Sequence, residues 1–233
     1  MNNSKSVAAL VPMRHHSERV AGKNFRDFTG KPLYAHIIET LLECGDVEKI
    51  IVDTDSPEIT KGLMEHFPTV MVLDRPEHLR ADDVPMNDVL LHDISQFPAQ
   101  FYLQTHSTNP LLRSGTISNA IHTFFQSYPD YDSLFSVTAL HTRLWDATGK
   151  PINHKPDQLI RTQDLPPVME ENSCIYIFER ETFQRRGNRL GDRPLLFEVD
   201  PAEAWDIDEE LDFAIAEFLA LRRGKDPEGD PTR

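Results

Sequence analysis

Cysteine is scarce in this chain, positive charge is outweighed, and no long apolar run occurs. The two cysteines, Cys44 and Cys174, match no metal-ligand spacing and make a poor disulfide framework, so a reducing, cytoplasmic setting is the expectation. Lys and Arg number 24 against 38 Asp and Glu, a formal net charge of −14. That balance argues against a general nucleic-acid binder, whose phosphate contacts need a basic face. It still allows a small anionic ligand on a local basic loop. The first apolar stretch, VAALVPM, is too short to cross a membrane, and no cleavage-like signal follows it. Also missing are GxxxxGKS/T, GxGxxG, HExxH and GxSxG, so a P-loop, a dinucleotide fingerprint, a zincin helix and a nucleophile elbow have no support.

What is present alternates. Four short apolar runs, VAALV (7–11), IIV (50–52), VMVL (70–73) and FYLQ (101–104), are rich in β-branched or aromatic residues and end at polar or turn residues. Buried strands of a parallel sheet have that character. Between them lie helical spacings. PLYAHIIETLLECG repeats apolar residues at Leu33, Ile37, Ile38, Leu41 and Leu42, with Pro32 at the first turn and Gly45 at the stop. SPEITKGLMEHF has Ser56 as its cap and Glu58 in its first turn. Further helices are expected over 85–95 and over SGTISNAIHTFFQSY. Strand and helix alternating in this way predict right-handed βαβ units with helices on both faces.

Beyond residue 134 the pattern changes. SLFSVTAL and CIYIFER read as strands, separated by a polar, proline-bearing stretch too long for an idle loop, which is read as a lid or a dimerisation excursion. ELDFAIAEFLALRR reads as a helix with its apolar stripe at Leu211, Ile215, Phe218 and Leu219. The expected organisation is one domain over 1–223, with an excursion at about 138–170, and a disordered tail over 224–233.

Two segments carry the chemistry. The loop after the first strand, Pro12 to Asn24, holds Arg14, Arg19 and Lys23 with Ser17 and Asn24 as polar partners. In open α/β sheets ligands bind at the carboxyl ends of strands, and guanidinium and ammonium groups there suit a polyphosphate. In Trp205-Asp206-Ile207-Asp208 an extended backbone would point both carboxylates the same way, as a hard cation such as Mg²⁺ requires, while Asp208 is also a candidate helix N-cap. Asp53 and Asp55 form a second DxD at the end of IIV. A haloacid-dehalogenase-like phosphatase would carry such a motif on its first strand, so a nucleotide-contacting or loop-shaping role is preferred here.

At these residues a family resemblance emerges. LVPMRHHSERVAGKNFRDFTGKPLYAHIIE resembles the N-terminal motif of the cytidylyltransferases that activate sialic acids, Pro-Ala-Arg-Gly-Gly-Ser-Lys-x-x-x-x-Lys-Asn followed by Gly-Lys-Pro-Leu. IIVDTDSPEI, RPEHLRADD, YLQTHSTNPLLRSGTI, RTQDLPPVMEENSCIYIF and WDIDEELDF resemble later motifs of that family in the same order, over about residues 7–219. The resemblance implies a nucleotide-diphosphosugar-transferase-like fold of three α/β/α layers with a mostly parallel sheet, and a homodimer formed through the excursion. It implies transfer of CMP from CTP to the anomeric hydroxyl of a sialic-acid-like nonulosonic acid, with Mg²⁺ as cofactor and pyrophosphate as product. By position, Arg14, Ser17 and Lys23 would contact the triphosphate, Asn24 and Arg75 would lie beside the nucleotide, and Gln104 would face the sugar. Arg161, Gln163 and Asn172 would lie on the sugar-acid side, within reach of the partner subunit's site, and Asp206 and Asp208 would hold the metal. The hydroxyl proton would go to Asp208 or to a metal-bound hydroxide, which makes Arg14, Lys23 and Asp208 the expected catalytic set. Three departures stand out: His15-His16 where the family has Gly-Gly, Glu18 where it has Lys, and Ser173 where it has Gly. A metal-dependent glycosyltransferase would leave the basic loop without a reason; a non-catalytic binding relative is the other alternative.

Overall fold

The strand Val7–Leu10 (β1) is buried on both sides, and its alternation sorts the core. Val7 and Ala9 face one apolar layer, Ala8 and Leu10 the other. The computed structural model describes residues 6–223. After β1 come β2 (Asp27–Phe28), β3 (Lys31–Pro32), α1 (Leu33–Glu43), β4 (Val47–Thr54), α2 (Pro57–His66), β5 (Met71–Asp74), α3 (Met86–Gln96) and β6 (Phe101–Gln104). Then follow α4 (Ser114–Ser127), β7 (Ser133–Leu140), β8 (Val168–Glu179), α5 (Arg180–Arg186), β9 (Pro194–Glu198) and α6 (Glu210–Arg223). A seven-stranded sheet runs β5-β4-β1-β6-β8-β7-β9, and only β8 is antiparallel to its neighbours. The fold is therefore a three-layer α/β/α arrangement with a mostly parallel sheet. One face packs against α1, α2 and α4 through Ile37, Ile38, Ile59, Leu63, Ile117 and Phe124; the other packs against α3 and α5 through Leu90, Ile94 and Phe183.

The expected helices are present, and Ser56 does cap α2, its hydroxyl accepting from the Ile59 amide at 3.3 Å. The structure differs from expectation in three respects. First, the strand expected at CIYIFER extends back to Val168, so the excursion spans 141–167 rather than 138–170. Thr138 to Leu140 pair with Val168 to Glu170, and backbone pairing overrides the polar sequence there. Second, α5 and β9 were not expected; each is short, and β9 is an edge strand whose residues are only partly buried. Third, α6 buries Phe213 and Ala216, while Leu211 and Phe218 of the expected stripe are exposed. The tail expected at 224–233 lies outside the described residues. No helix among the described residues is long and apolar enough to cross a membrane.

A third, smaller apolar cluster brings together distant segments. Val20 from the basic loop and Ile207 from between the two aspartates are both fully buried with Phe28, Leu33, Leu111 and Phe213. The chemistry-bearing segments thus meet because each contributes one apolar anchor to a shared core.

Leu103 is fully buried at the centre of the sheet on β6. Leu103→Ala is expected to cost roughly 2–5 kcal/mol of unfolding free energy, read from denaturant midpoints, and a loss well below that range would show the central layer relaxing into the space.

Candidate active site

The loop from Pro12 to Asn24 starts at the carboxyl end of β1 and turns at Gly22, whose φ is +62°. A Cβ there would lie 2.8 Å from the Phe25 ring, so glycine alone suits the turn that delivers Lys23. The loop is pinned from both sides. Asn24 donates to the Arg14 carbonyl at 2.7 Å and accepts from the Ser107 hydroxyl at 2.7 Å. Asp55 accepts from the His15 amide at 2.7 Å, so the second DxD shapes the loop. The His15 ring turns aside to Ser56 (3.0 Å) and Glu58 (3.1 Å) and stacks on Phe25, leaving His16 to line the cleft.

Arg14, His16, Ser17, Arg19, Lys23, Asn24 and Arg75 line one polar cleft together with His106, Ser107 and Thr108. Opposite lies the acidic segment. Lys23, only 12% exposed in its side chain, donates to the Ile207 carbonyl at 2.6 Å and stands 4.0 Å from Asp208. Arg19 pairs with Asp208 at 2.7 Å, and Arg14 pairs with Asp82. Burial lowers the pKa of the Lys23 ammonium, while Asp208 and Asp206 raise it. Asp208 does not cap α6, because the Asp212 carboxylate accepts from the amides of Asp208 (3.1 Å) and Glu209 (2.8 Å). The Asp208 side chain is left to the cations. Asp206 is half-buried with one oxygen, Oδ1, lacking a hydrogen-bond partner among the described residues, and burial followed by the Asp208 charge is what raises its pKa above the usual carboxylate value despite Thr108 and Lys23.

Asp206 faces a second cleft, with Asn172, Ser173, Glu171 and Trp205. Asn172 accepts from Ser136 at 2.6 Å and donates to Thr138 at 2.9 Å, closing the bulge between β7 and β8. Ser173 holds φ +58°, a conformation that glycine adopts more readily, and this accounts for glycine in the resembling motif. Gln104 is fully buried. Its carbonyl accepts from Arg189 at 2.6 Å and its amide lies 2.8 Å from His106 Nε2. Burial, then the charges of Arg189 and Lys23, depress the His106 pKa to about 4, so the ring is neutral and Nε2 accepts from Gln104. Arg161 and Gln163 stand apart on the excursion. Arg161 is 73% exposed and pairs with Asp164, and neither residue lines either cleft.

Beneath the cleft floor lies a buried polar group, of which sequence reasoning singled out Arg75 and Asp53 but missed His92 and Asp93. Arg75 pairs with Asp53, and both are almost wholly buried. Asp93 and His92 of α3 lie beside them, with ligand-type atoms of Asp53, His92 and Asp93 all within 4.8 Å of one another. Asp93 looked like one polar residue on an amphipathic helix; nothing local marks it. His106 and Arg189 were missed for the same reason.

The model of a family described as cytidylyltransferase matches residues 8–222. Post-translational flagellin modification protein B of Campylobacter coli is 30% identical over 91% of this chain and 94% of that protein. N-acylneuraminate cytidylyltransferase A of Danio rerio is 26% identical over 95% of this chain and 52% of its own length, and the Escherichia coli N-acylneuraminate cytidylyltransferase 25% over 94% and 53%. The chain thus spans about half the length of these two relatives. Among solved structures, CMP:2-keto-3-deoxy-manno-octonic acid synthetase complexed with CTP superposes with a TM-score of 0.69 at 16% identity, covering 94% of this chain and 99% of that one. The 4-diphosphocytidyl-2C-methyl-D-erythritol synthase of Anaerococcus prevotii superposes at 0.65, with 10% identity over 94% of this chain and 98% of that one. These two structures agree with the fold.

The carboxyl pair under Arg75 makes stability depend on pH. Burial, reinforced by the Asp53 charge, pushes the Asp93 pKa from 3.8 up to about 9. A carboxyl raised in the folded state keeps a proton that the unfolded chain has already released, so stability falls as pH rises between those two values. Asp93→Asn removes that slope. Thermal unfolding across this range is expected to show the variant gaining on the parent as pH rises; parallel curves would contradict the buried proton.

Proposed function

The chain belongs to the cytidylyltransferase family, and we propose that it transfers CMP from CTP to the anomeric hydroxyl of a sialic-acid-like nonulosonic acid, releasing pyrophosphate. The observation that carries this reading is the convergence of Arg14, Arg19, Lys23 and Ser17 at the end of β1, with Asp208 paired to Arg19 and the Asp206 charge also acting on Lys23. On a chain of net charge −14, a cationic loop at a strand terminus suits a triphosphate. Displacement at an α-phosphate asks mainly for charge neutralisation and in-line positioning. Arg14 and Arg19 would exchange Asp82 and Asp208 for phosphate oxygens, and Lys23 would act as a point charge from below. Arg75, rooted on Asp53, would lie beside the nucleotide.

The acidic pair fits Mg²⁺, because Asp206 offers a buried carboxylate oxygen without a partner and Asp208 a half-exposed one. Bound there, the ion would neutralise charge on the triphosphate and leaving pyrophosphate. The acceptor class is supported by the relatives named N-acylneuraminate cytidylyltransferase. A homodimer is supported by apolar side chains turned outward on and beside the excursion: Trp145, Ile152, Leu159 and Met169, with Leu159 92% exposed. Assembly there would bring Arg161 and Gln163 near a partner's second cleft.

The test is pyrophosphate release from each of the four nucleoside triphosphates, with Mg²⁺, against a panel of nonulosonic and octulosonic acids. CTP with one keto acid is the expected productive pair. CTP binding with no turnover on any acid would favour a non-catalytic binding relative, and absence of CTP binding would overturn the nucleotidyl-transfer reading.

A further inference from the structure

Arg189 is a half-buried cation without a carboxylate partner. It lies in the loop between α5 and β9, and it forms no ion pair among the described residues. Its guanidinium carbon stands 3.5 Å from the centroid of the Tyr176 ring, and one nitrogen donates to Gln104 at 2.6 Å. Glu171, whose charge acts on it, accepts from the Tyr176 hydroxyl. A guanidinium held by the Tyr176 ring and side chain and by the Gln104 amide presents its other donors in a fixed fork, which is the geometry that reads a carboxylate.

The loop is built to hold it there. The Arg189 amide donates to Asn87 at 3.3 Å, that of Gly191 to Ser133 at 2.8 Å, and those of Asp192 and Arg193 to the two oxygens of the buried Asp132 at 3.0 and 2.9 Å. A Cβ on Gly191 would lie 2.1 Å from Asp132, so only glycine lets the loop come this close. Arg189 also connects to the cleft wall. Gln104 bridges it to His106, and the residue before Asn87, Met86, lines the same cleft. Burying an arginine without a carboxylate partner is unfavourable unless an anion arrives.

We propose that Arg189 binds the carboxylate of the acceptor acid, with Tyr176 and Gln104 as its positioning residues. This rests on the keto-acid reading above and deepens it: the acceptor is recognised through an anionic group next to the sugar, by a residue of the same subunit as the cytidine site. Arg161 on the excursion is the competing candidate.

The measurement is steady-state pyrophosphate release and calorimetry on the intact protein with CTP, Mg²⁺ and the best acid of a panel including N-acetylneuraminate and 3-deoxy-D-manno-octulosonate. Each acid is compared with its carboxyl methyl ester. Arg189→Met is expected to raise the acid's KM about 10- to 100-fold while CTP affinity stays within about twofold, with Arg189→Lys between. Preference for acid over ester should collapse in Arg189→Met and persist in Arg161→Met, a readout that a purely structural role would not move. An unchanged acid KM in Arg189→Met, or collapse of the preference in Arg161→Met instead, overturns the assignment while leaving the transfer reaction intact. If the parent binds CTP but neither binds nor turns over any acid, the keto-acid reading falls and the assignment with it.

Discussion

Everything chemical in this molecule depends on two apolar side chains, Val20 and Ile207, sharing one small core. Each sits inside a charged segment that would otherwise prefer water. Burying one such side chain is worth about 1.5–3 kcal/mol, more than the exposed pair between Arg19 and Asp208 can supply. The anchors, not the ion pairs, hold the cationic loop against the acidic segment. That division lets the charges change partners without unmaking the site. In the proposed reaction a triphosphate would take Arg19 from Asp208 while Val20 and Ile207 stay buried.

A similar separation runs through the loop's supports. Asp55 and Ser107 hold it through the His15 amide and Asn24, and neither uses a cation to do so. Asp53 roots Arg75 from below, and the neighbouring Asp93 keeps a proton in the same buried space. The His15-His16 pair fits this plan. One ring serves the scaffold against Ser56, Glu58 and Phe25, and only the other reaches the cleft. Replacing a glycine pair therefore adds one side chain to the cleft rather than two.

Much of the sheet was legible because burial on both faces writes continuous apolar runs, and α1 to α4 were legible because one buried stripe writes a 3.6-residue period. The fold class followed from their alternation. The edge elements α5 and β9 were not legible, since short, half-exposed segments carry no period. The stripe of α6 was misplaced because that helix has apolar residues on two sides and the sequence does not say which is covered. The Arg14–Lys23 loop and the Asp206–Asp208 pair were readable from charge against a background of −14. Asp93, His106 and Arg189 were not, because their meaning lies in contacts between residues far apart in sequence. Arg161 and Gln163 were readable only through family resemblance, and within one subunit they stand away from both clefts.

The central claim is that the loop after β1 holds the nucleotide's phosphates through a cation placed by buried neighbours. Calorimetric titration of CTP into the parent protein and into Lys23→Met, with Mg²⁺ present, tests it most directly. The account predicts binding weakened about 10- to 100-fold in the variant with the melting temperature little changed. Equal affinities in the two proteins would contradict it.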